Sequence, residues 1–345
     1  MRPERNSIVQ ILFPDGVPNL WCPPLTHFAT DGSFDVGRTA AHLEFLAPSV
    51  GGLLVPGTTG EGWELSDLES AQLVRLVGAL ARKHRMTLLI GILKPTVEGM
   101  LVAVDRTLAE IAVDAKSDGL PAALRERNIA GFAFCAPTGK NLTQEQIESG
   151  LRTVFDLGLP SALYQLPQVT GNEVAPATAE RLIAAYANLL LVKDSSGGDR
   201  LLLARQDPAG LFYFRGAEGD YYEWCRGRAE RYDGFLLSTA NCFPRQLAEI
   251  LSPEVGAERA QELSRRVTGI VNESFEAVAA VREGNAFTNV NKAIDHFNAH
   301  GAGAADLPGP RLHGGAAIPP KVIRRIGSIL ASNGMLPETG YLLQN

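Results

Sequence analysis

Lys193 follows four apolar residues, Leu189-Leu190-Leu191-Val192, and is followed by Asp194-Ser195-Ser196-Gly197. A lysine at the end of a buried strand loses hydration, which disfavours its ammonium form. The neutral amine can attack a ketone carbon and form an imine, an electron sink for bond making or breaking at the adjacent carbon. Taken alone, Lys193 fits a lysine leaving the strand to pair with Asp194 better than it fits a nucleophile. Tyr164 ends another apolar run, residues 161–165. A phenol there could move protons to and from a carbinol oxygen; a core or rim tyrosine with a satisfied hydroxyl fits equally. The turn Gly57-Thr58-Thr59-Gly60-Glu61 offers amides and two hydroxyls, a cradle for a carboxylate. Glu61 accepts hydrogen bonds only when ionised, so it is expected to brace the turn and not to touch an anion.

These groups need elements that converge. Short apolar runs recur at residues 17–22, 52–55, 87–93, 131–135, 161–165, 189–193, 211–215 and 234–237. Their length fits buried parallel strands. The segments between them carry helix signals: capping boxes begin at Ser66 and Thr143, and Pro176 opens a helix. Repeated strand–helix units with right-handed crossovers predict an α/β fold, a (β/α)8 TIM barrel. An open doubly wound sheet is the alternative, but no Gly-rich phosphate turn follows the first run. Reactive groups of such a barrel gather at the C-terminal ends of its strands. Residues 1–16 read as an N-terminal extension, 17–245 as the barrel and 246–345 as a C-terminal helical appendage. In that tail, helices are expected over 252–282, 289–300 and 320–333, with a Gly/Ala/Pro-rich loop over 301–319. A charged stretch, 111–128, lengthens the crossover between the third and fourth strands and is broken by Gly119-Leu120-Pro121.

Composition narrows the partners. The chain of 345 residues is 45% hydrophobic with a net charge of −6, which argues against nucleic acid. No run approaches the roughly 20 apolar residues of a membrane span, and 8–13 is too short for a secretory signal. The four scattered cysteines, Cys22, Cys135, Cys225 and Cys242, fit free thiols in a reducing cytoplasm; Cys22 and Cys135, at strand ends, read as small apolar filling. His296 and His300 have helical ligand spacing but no third ligand, so neither metal nor cofactor is expected.

In order and spacing, Gly57-Thr58-Thr59-Gly60-Glu61, Tyr164-x-x-Pro167 and Lys193-Asp194-Ser195-Ser196-Gly197 resemble the dihydrodipicolinate synthase/N-acetylneuraminate lyase family. Gly216, and Asn241-x-x-Pro244, also fit. The resemblance runs from about Val17 into the helical tail. It implies a class I aldolase-type lyase, a homo-oligomer (tetramer or dimer), and a pyruvate-type 2-keto acid or sugar acid held as an imine. Lys193 matches the Schiff-base lysine, Tyr164 the proton-shuttling tyrosine, and Thr58 and Thr59 the pair serving the carboxylate and the relay. Gly57 and Gly216 join the substrate-binding set, with Leu236, Glu218 and Asn241 expected toward the second substrate, and Arg215 beside them. Two departures matter. Thr138 and Gly139 stand where the synthase branch carries a Tyr pair, one of which completes a relay between subunits. Val169 stands where that branch carries an Arg for the second substrate's carboxylate. Both argue against aspartate semialdehyde. A hydro-lyase acting on a deoxy-keto sugar acid, or a non-catalytic keto-acid-binding barrel, are the alternatives.

Overall fold

The computed structural model describes residues 4–114, 119–205 and 208–343. Eight parallel strands close in sequence order into a barrel: β1 (Leu20–Cys22), β2 (Gly52–Val55), β3 (Thr87–Ile92), β4 (Ile129–Cys135), β5 (Ser161–Gln165), β6 (Leu189–Asp194), β7 (Phe212–Arg215) and β8 (Gly234–Leu236). With helices between the strands, the fold is the (β/α)8 TIM barrel expected. The first strand starts later than the apolar run because Pro18 has no N–H to donate; the ladder to β2 begins at Trp21.

Register places the reactive groups. Cys135 of β4 pairs with Tyr164 of β5, Tyr164 with Lys193 of β6, and Lys193 with Phe214 of β7. Laterally paired residues of a parallel sheet share a face, so the phenol and the amine lie side by side. Beneath them the barrel is filled. Trp21 is fully buried, and a Cβ at Gly52 would lie 2.2 Å from its ring. Edge contacts join Trp21 to Phe214 at 6.0 Å and to Phe13 at 6.2 Å.

Phe13 follows a helix, Arg5–Leu12, which the sequence reading did not expect. Eight residues are too few to hold a helix in isolation. Tertiary contacts hold this one: Arg5 donates to the carbonyls of Leu189 at 2.7 Å, Ile183 at 2.5 Å and Tyr186 at 3.0 Å. Both expected capping boxes form, at Ser66–Glu69 and Thr143–Gln146. The lengthened crossover is split, as anticipated, into Val97–Glu110 and Leu120–Arg125; residues 115–118 lie outside the described residues.

Two expectations for the tail need correction. The helix expected over 252–282 forms but is shorter, Ala257–Val278, and a separate helix that was not expected, Pro244–Leu251, precedes it with Pro244 at its start. The stretch 301–319 is not wholly loop: Gly301–Asp306 forms a 3-10 helix before the last helix, Pro320–Ser332. Between these pieces, Ala286–His300 docks on the turn after β2. Asn285 Nδ2 donates to Thr58 O at 3.0 Å and Thr288 Oγ1 to Thr59 O at 2.9 Å. Lys292 Nζ meets Glu61 Oε2 at 2.5 Å, with both side chains 1% exposed, and also donates to Arg311 O at 2.6 Å. The His313 amide donates to the other Glu61 oxygen at 2.8 Å. Glu61 adopts a left-handed φ of 62° to reach these partners. Replacing one member of a buried ion pair strands the other charge. Lys292→Met should therefore destabilise the fold by about 3–5 kcal/mol in urea unfolding, with Glu61→Gln on top of it recovering part of the loss; a loss within about 0.5 kcal/mol, the range of ordinary surface changes, would contradict the anchoring role.

Candidate active site at the C-terminal mouth of the barrel

Lys193 is 4% exposed. Its Nζ lies 3.9 Å from the centroid of the Tyr164 ring and has no hydrogen-bond or ion-pair partner among the described residues. The rim pairing with Asp194 does not occur. Successive strand residues point to opposite faces, and the Asp194 carboxylate instead accepts from the Ser196 amide at 2.9 Å. Burial lowers the Lys193 pKa to about 7; Cys135, Glu218 and Cys22 oppose that shift. A substantial share of the amine, about half, is thus unprotonated at neutral pH, although its ring neighbour would favour a cation.

Tyr164 is equally buried, and burial pushes its phenol up, while hydrogen bonds with Thr58 and Ser195 pull it partly back. Its hydroxyl is 3.3 Å from Thr58 Oγ1. Thr58 Oγ1 in turn accepts from Trp63 Nε1 at 3.1 Å. Ser195 and Trp63 were missed in the sequence. Ser195 had a usable signal: two residues after Lys193, it returns to the same face of the chain. Gly216 leaves space for both groups. A Cβ there would fall 2.0 Å from Ser195 Oγ and 2.9 Å from Lys193 Cε.

The turn after β2 is pressed against the loop after β1. A Cβ on Gly57 would meet Pro23 Cβ at 2.5 Å, and one on Gly60 would meet Pro24 O at 2.6 Å. The amides of Gly60, Glu61 and Gly62 are spent on carbonyls of the turn itself. The amides of Thr58 and Thr59 and the Thr59 hydroxyl have no partner among the described residues. Those three donors are the group suited to a carboxylate.

The residues expected toward a second substrate are placed differently. Glu218 accepts from Ser238 N at 3.0 Å, Ser238 Oγ at 2.5 Å, Thr239 N at 3.2 Å, Thr239 Oγ1 at 2.6 Å and Tyr221 OH at 2.9 Å. It holds the turn after β8. Asn241 is fully buried; its amide accepts from Leu25 N at 2.9 Å and donates to Pro23 O and Ser238 O, both at 2.9 Å. Arg215 is engaged by Asp199 at 3.2 Å and by the carbonyls of Ala217 and Gly219. Leu236 is buried in β8, paired with Trp21 of β1. None of the three polar side chains points a free group at Lys193.

One buried trio has ligand chemistry: His27, His42 and Asp295 bring ligand atoms within 4.8 Å of one another. The cation's place there is held by Arg38, whose Nη2 lies 2.6 Å from Asp295 Oδ2, while Tyr341 donates to Oδ1 at 3.0 Å. His296, singled out by spacing, bonds Ala304 O instead. A cleft of about 870 Å³ lies at the opposite end of the barrel beside Phe13, Arg85 and Arg125. Barrel chemistry sits at the strands' C-terminal ends, so the Lys193 mouth is the candidate site.

Reactivity at Lys193 should follow its own titration. Only the free amine reacts, so carbamylation of Lys193 by cyanate should rise through pH about 7 and level off above it, whereas exposed lysines rise only near about 10.4. Peptide mass spectrometry reads both. A midpoint for Lys193 in the ordinary lysine range would refute its desolvation.

With the geometry established, relatives place the chain. Residues 120–291 match the sequence model of the Dihydrodipicolinate synthetase family. The 4-hydroxy-tetrahydrodipicolinate synthase 1 of Streptomyces coelicolor is 28% identical over 264 residues, 74% of this chain and 78% of that protein. The 4-hydroxy-tetrahydrodipicolinate synthase of Methylococcus capsulatus is 25% identical over 256 residues, 72% of this chain and 80% of that one. Among solved structures, YagE, a prophage protein of the dihydrodipicolinic acid synthase family from E. coli K12 in complex with pyruvate, superposes with a TM-score of 0.72 at 17% identity, over 92% of this chain and 99% of that one. KD(P)GA from T. tenax gives a TM-score of 0.69 at 19% identity, over 92% and 99%. At these identities the structural likeness is one of fold. Family match, relatives and barrel agree: the chain belongs to the dihydrodipicolinate synthetase family, whose members are aldolase-type lyases.

Proposed function

We propose that this protein binds a pyruvate-type 2-keto acid as an imine on Lys193 and makes or breaks a carbon–carbon bond at the carbon next to it. The observation that carries the proposal is a buried amine, with no hydrogen-bond or ion-pair partner among the described residues, beside a buried phenol. The keto acid's carboxylate lies at the Thr58 and Thr59 amides and the Thr59 hydroxyl. Neutral Lys193 attacks the ketone carbon, and its proton moves to the oxygen to give a carbinolamine. Tyr164 then protonates that hydroxyl, water leaves, and an iminium faces the phenolate. The phenolate removes a proton from the adjacent methyl carbon, which yields an enamine and restores the phenol. The enamine is the carbon nucleophile that adds to an aldehyde; in reverse, the iminium accepts the electrons of the cleaved bond.

The second substrate is not aspartate semialdehyde in this reading. Val169, on the short helix Pro167–Thr170, is 38% exposed and carries no charge for a carboxylate. Thr138 bonds Pro95 O through its amide, and Gly139 bonds Thr170 O, so neither supplies a phenol. An aldehyde with a less polar body fits better. No residue favours dehydration or binding without turnover. All four cysteines are free and buried, which suits a reducing cytoplasm, and a homo-oligomer is the assembly in keeping with the family.

Borohydride reduction in the presence of pyruvate should add the mass of one reduced pyruvate adduct, on the peptide containing Lys193, and Lys193→Ala should lose it. Absence of the adduct with pyruvate and with longer 2-keto acids, or an adduct that survives Lys193→Ala, would sink the proposal.

A further inference from the structure

We infer that Trp63 is a positioning residue that fixes the direction of the hydroxyl chain feeding Tyr164, so that the phenol's proton faces Lys193. The inference rests on the imine reading above and extends it to a residue in the turn after β2.

The argument follows from donor and acceptor capacity. An indole N–H can donate and cannot accept. Trp63 Nε1 donates to Thr58 Oγ1 at 3.1 Å. Thr58 is 5% exposed, and among the described residues no carbonyl or carboxylate accepts its hydroxyl proton. The other partner of that oxygen is Tyr164 OH at 3.3 Å. If Tyr164 donated to Thr58 as well, the threonine oxygen would accept twice and its proton would be left without an acceptor. The satisfied arrangement runs one way: Trp63 N–H to Thr58 oxygen, Thr58 O–H to Tyr164 oxygen, and Tyr164 O–H onward to the side of Ser195 and Lys193. Ser195 lies near enough to Tyr164 to lower its pKa, and its Oγ sits close to Gly216, as does Lys193 Cε.

Two consequences follow. Aligned donors polarise one another, so a phenolate formed when Tyr164 gives up its proton is met by a hydroxyl already donating to it. The chain also stops at the indole. A donor-only group cannot hand a proton on, so Thr58 has no route outward through Trp63. Protons reach and leave Tyr164 on the Lys193 side, from substrate and from Ser195.

The test measures the rate of borohydride-trappable adduct formation against pyruvate concentration in the wild type, Trp63→Phe, Thr58→Val and the double variant. Phe keeps a ring in place and removes the N–H. Trp63→Phe should lower the saturating rate about three- to tenfold, the worth of one ordinary hydrogen bond, and leave the half-saturating pyruvate concentration unchanged. A simple packing defect would move both. Thr58→Val should lose more, and Trp63→Phe should cost nothing further in its background, because the indole acts only through Thr58. The indole N–H resonance of Trp63 should shift in Thr58→Val. Additive losses, an unaltered saturating rate in Trp63→Phe, or an indole resonance indifferent to Thr58→Val overturns the role of Trp63 while the wild type still traps adduct. A wild type that traps none overturns the imine itself.

Discussion

The candidate site depends on keeping one amine dry without giving it a counter-charge. Lys292 and Lys193 are buried to a similar degree, and burial lowers the pKa of both, but their partners differ. Lys292, 1% exposed, meets the Glu61 carboxylate and a carbonyl, and the pair works as a cationic rivet between tail and barrel. Lys193, 4% exposed, meets an aromatic face and pairs with no carboxylate among the described residues. Removed from water without an anion, an ammonium gives up its proton. The same side chain is therefore a fastener in one place and the proposed nucleophile in the other, and the nearby acid separates the two.

That dryness has structural conditions. The barrel must be plugged from below, which Trp21, Phe13 and the Arg5–Leu12 helix accomplish. Space must be left at the mouth, which Gly216 secures by lacking a Cβ beside Lys193 Cε and Ser195 Oγ. The threonine turn must be rigid enough to present free amides. Glu61 supplies this by accepting from Lys292 and the His313 amide, so the tail, distant in sequence, tensions a turn at the mouth. The C-terminal helices are in this sense part of the site's support.

Much of this was readable in the sequence, and the rest was not, for a physical reason. Strand positions, the barrel, both capping boxes and the juxtaposition of Lys193 with Tyr164 follow from local patterns: apolar runs, capping residues, alternation along strands. The unreadable part depends on contacts between residues far apart in the chain. Asn241 bonds Leu25 and Pro23 across more than two hundred positions, and Lys292 bonds Glu61 across a similar span. Nothing local to Ala286–His300 announces that its lysine will be buried. The short Arg5–Leu12 helix went unnoticed for the same reason, since its support comes from carbonyls near β6. Ser195 is the exception, because strand alternation alone would have put it on the face of Lys193.

Polar side chains at the barrel mouth divide by whether the protein already satisfies them, and that division separates structure from chemistry. Glu218, Arg215 and Asn241 look like substrate contacts in the sequence because they are polar and stand at strand ends. Each is engaged by loop backbone or neighbouring side chains. Breaking those bonds to greet a ligand would cost as much as the new bonds return. The Lys193 amine, the Thr59 hydroxyl and the amides of Thr58 and Thr59 have no such prior engagement among the described residues. The groups left free are an amine for a ketone and donors for a carboxylate, adjacent to each other. This is the polar complement of the 2-keto acid proposed as substrate, and with the charged side chains beyond it committed to holding loops, the proposed reading leaves discrimination among second substrates to shape and apolar contact.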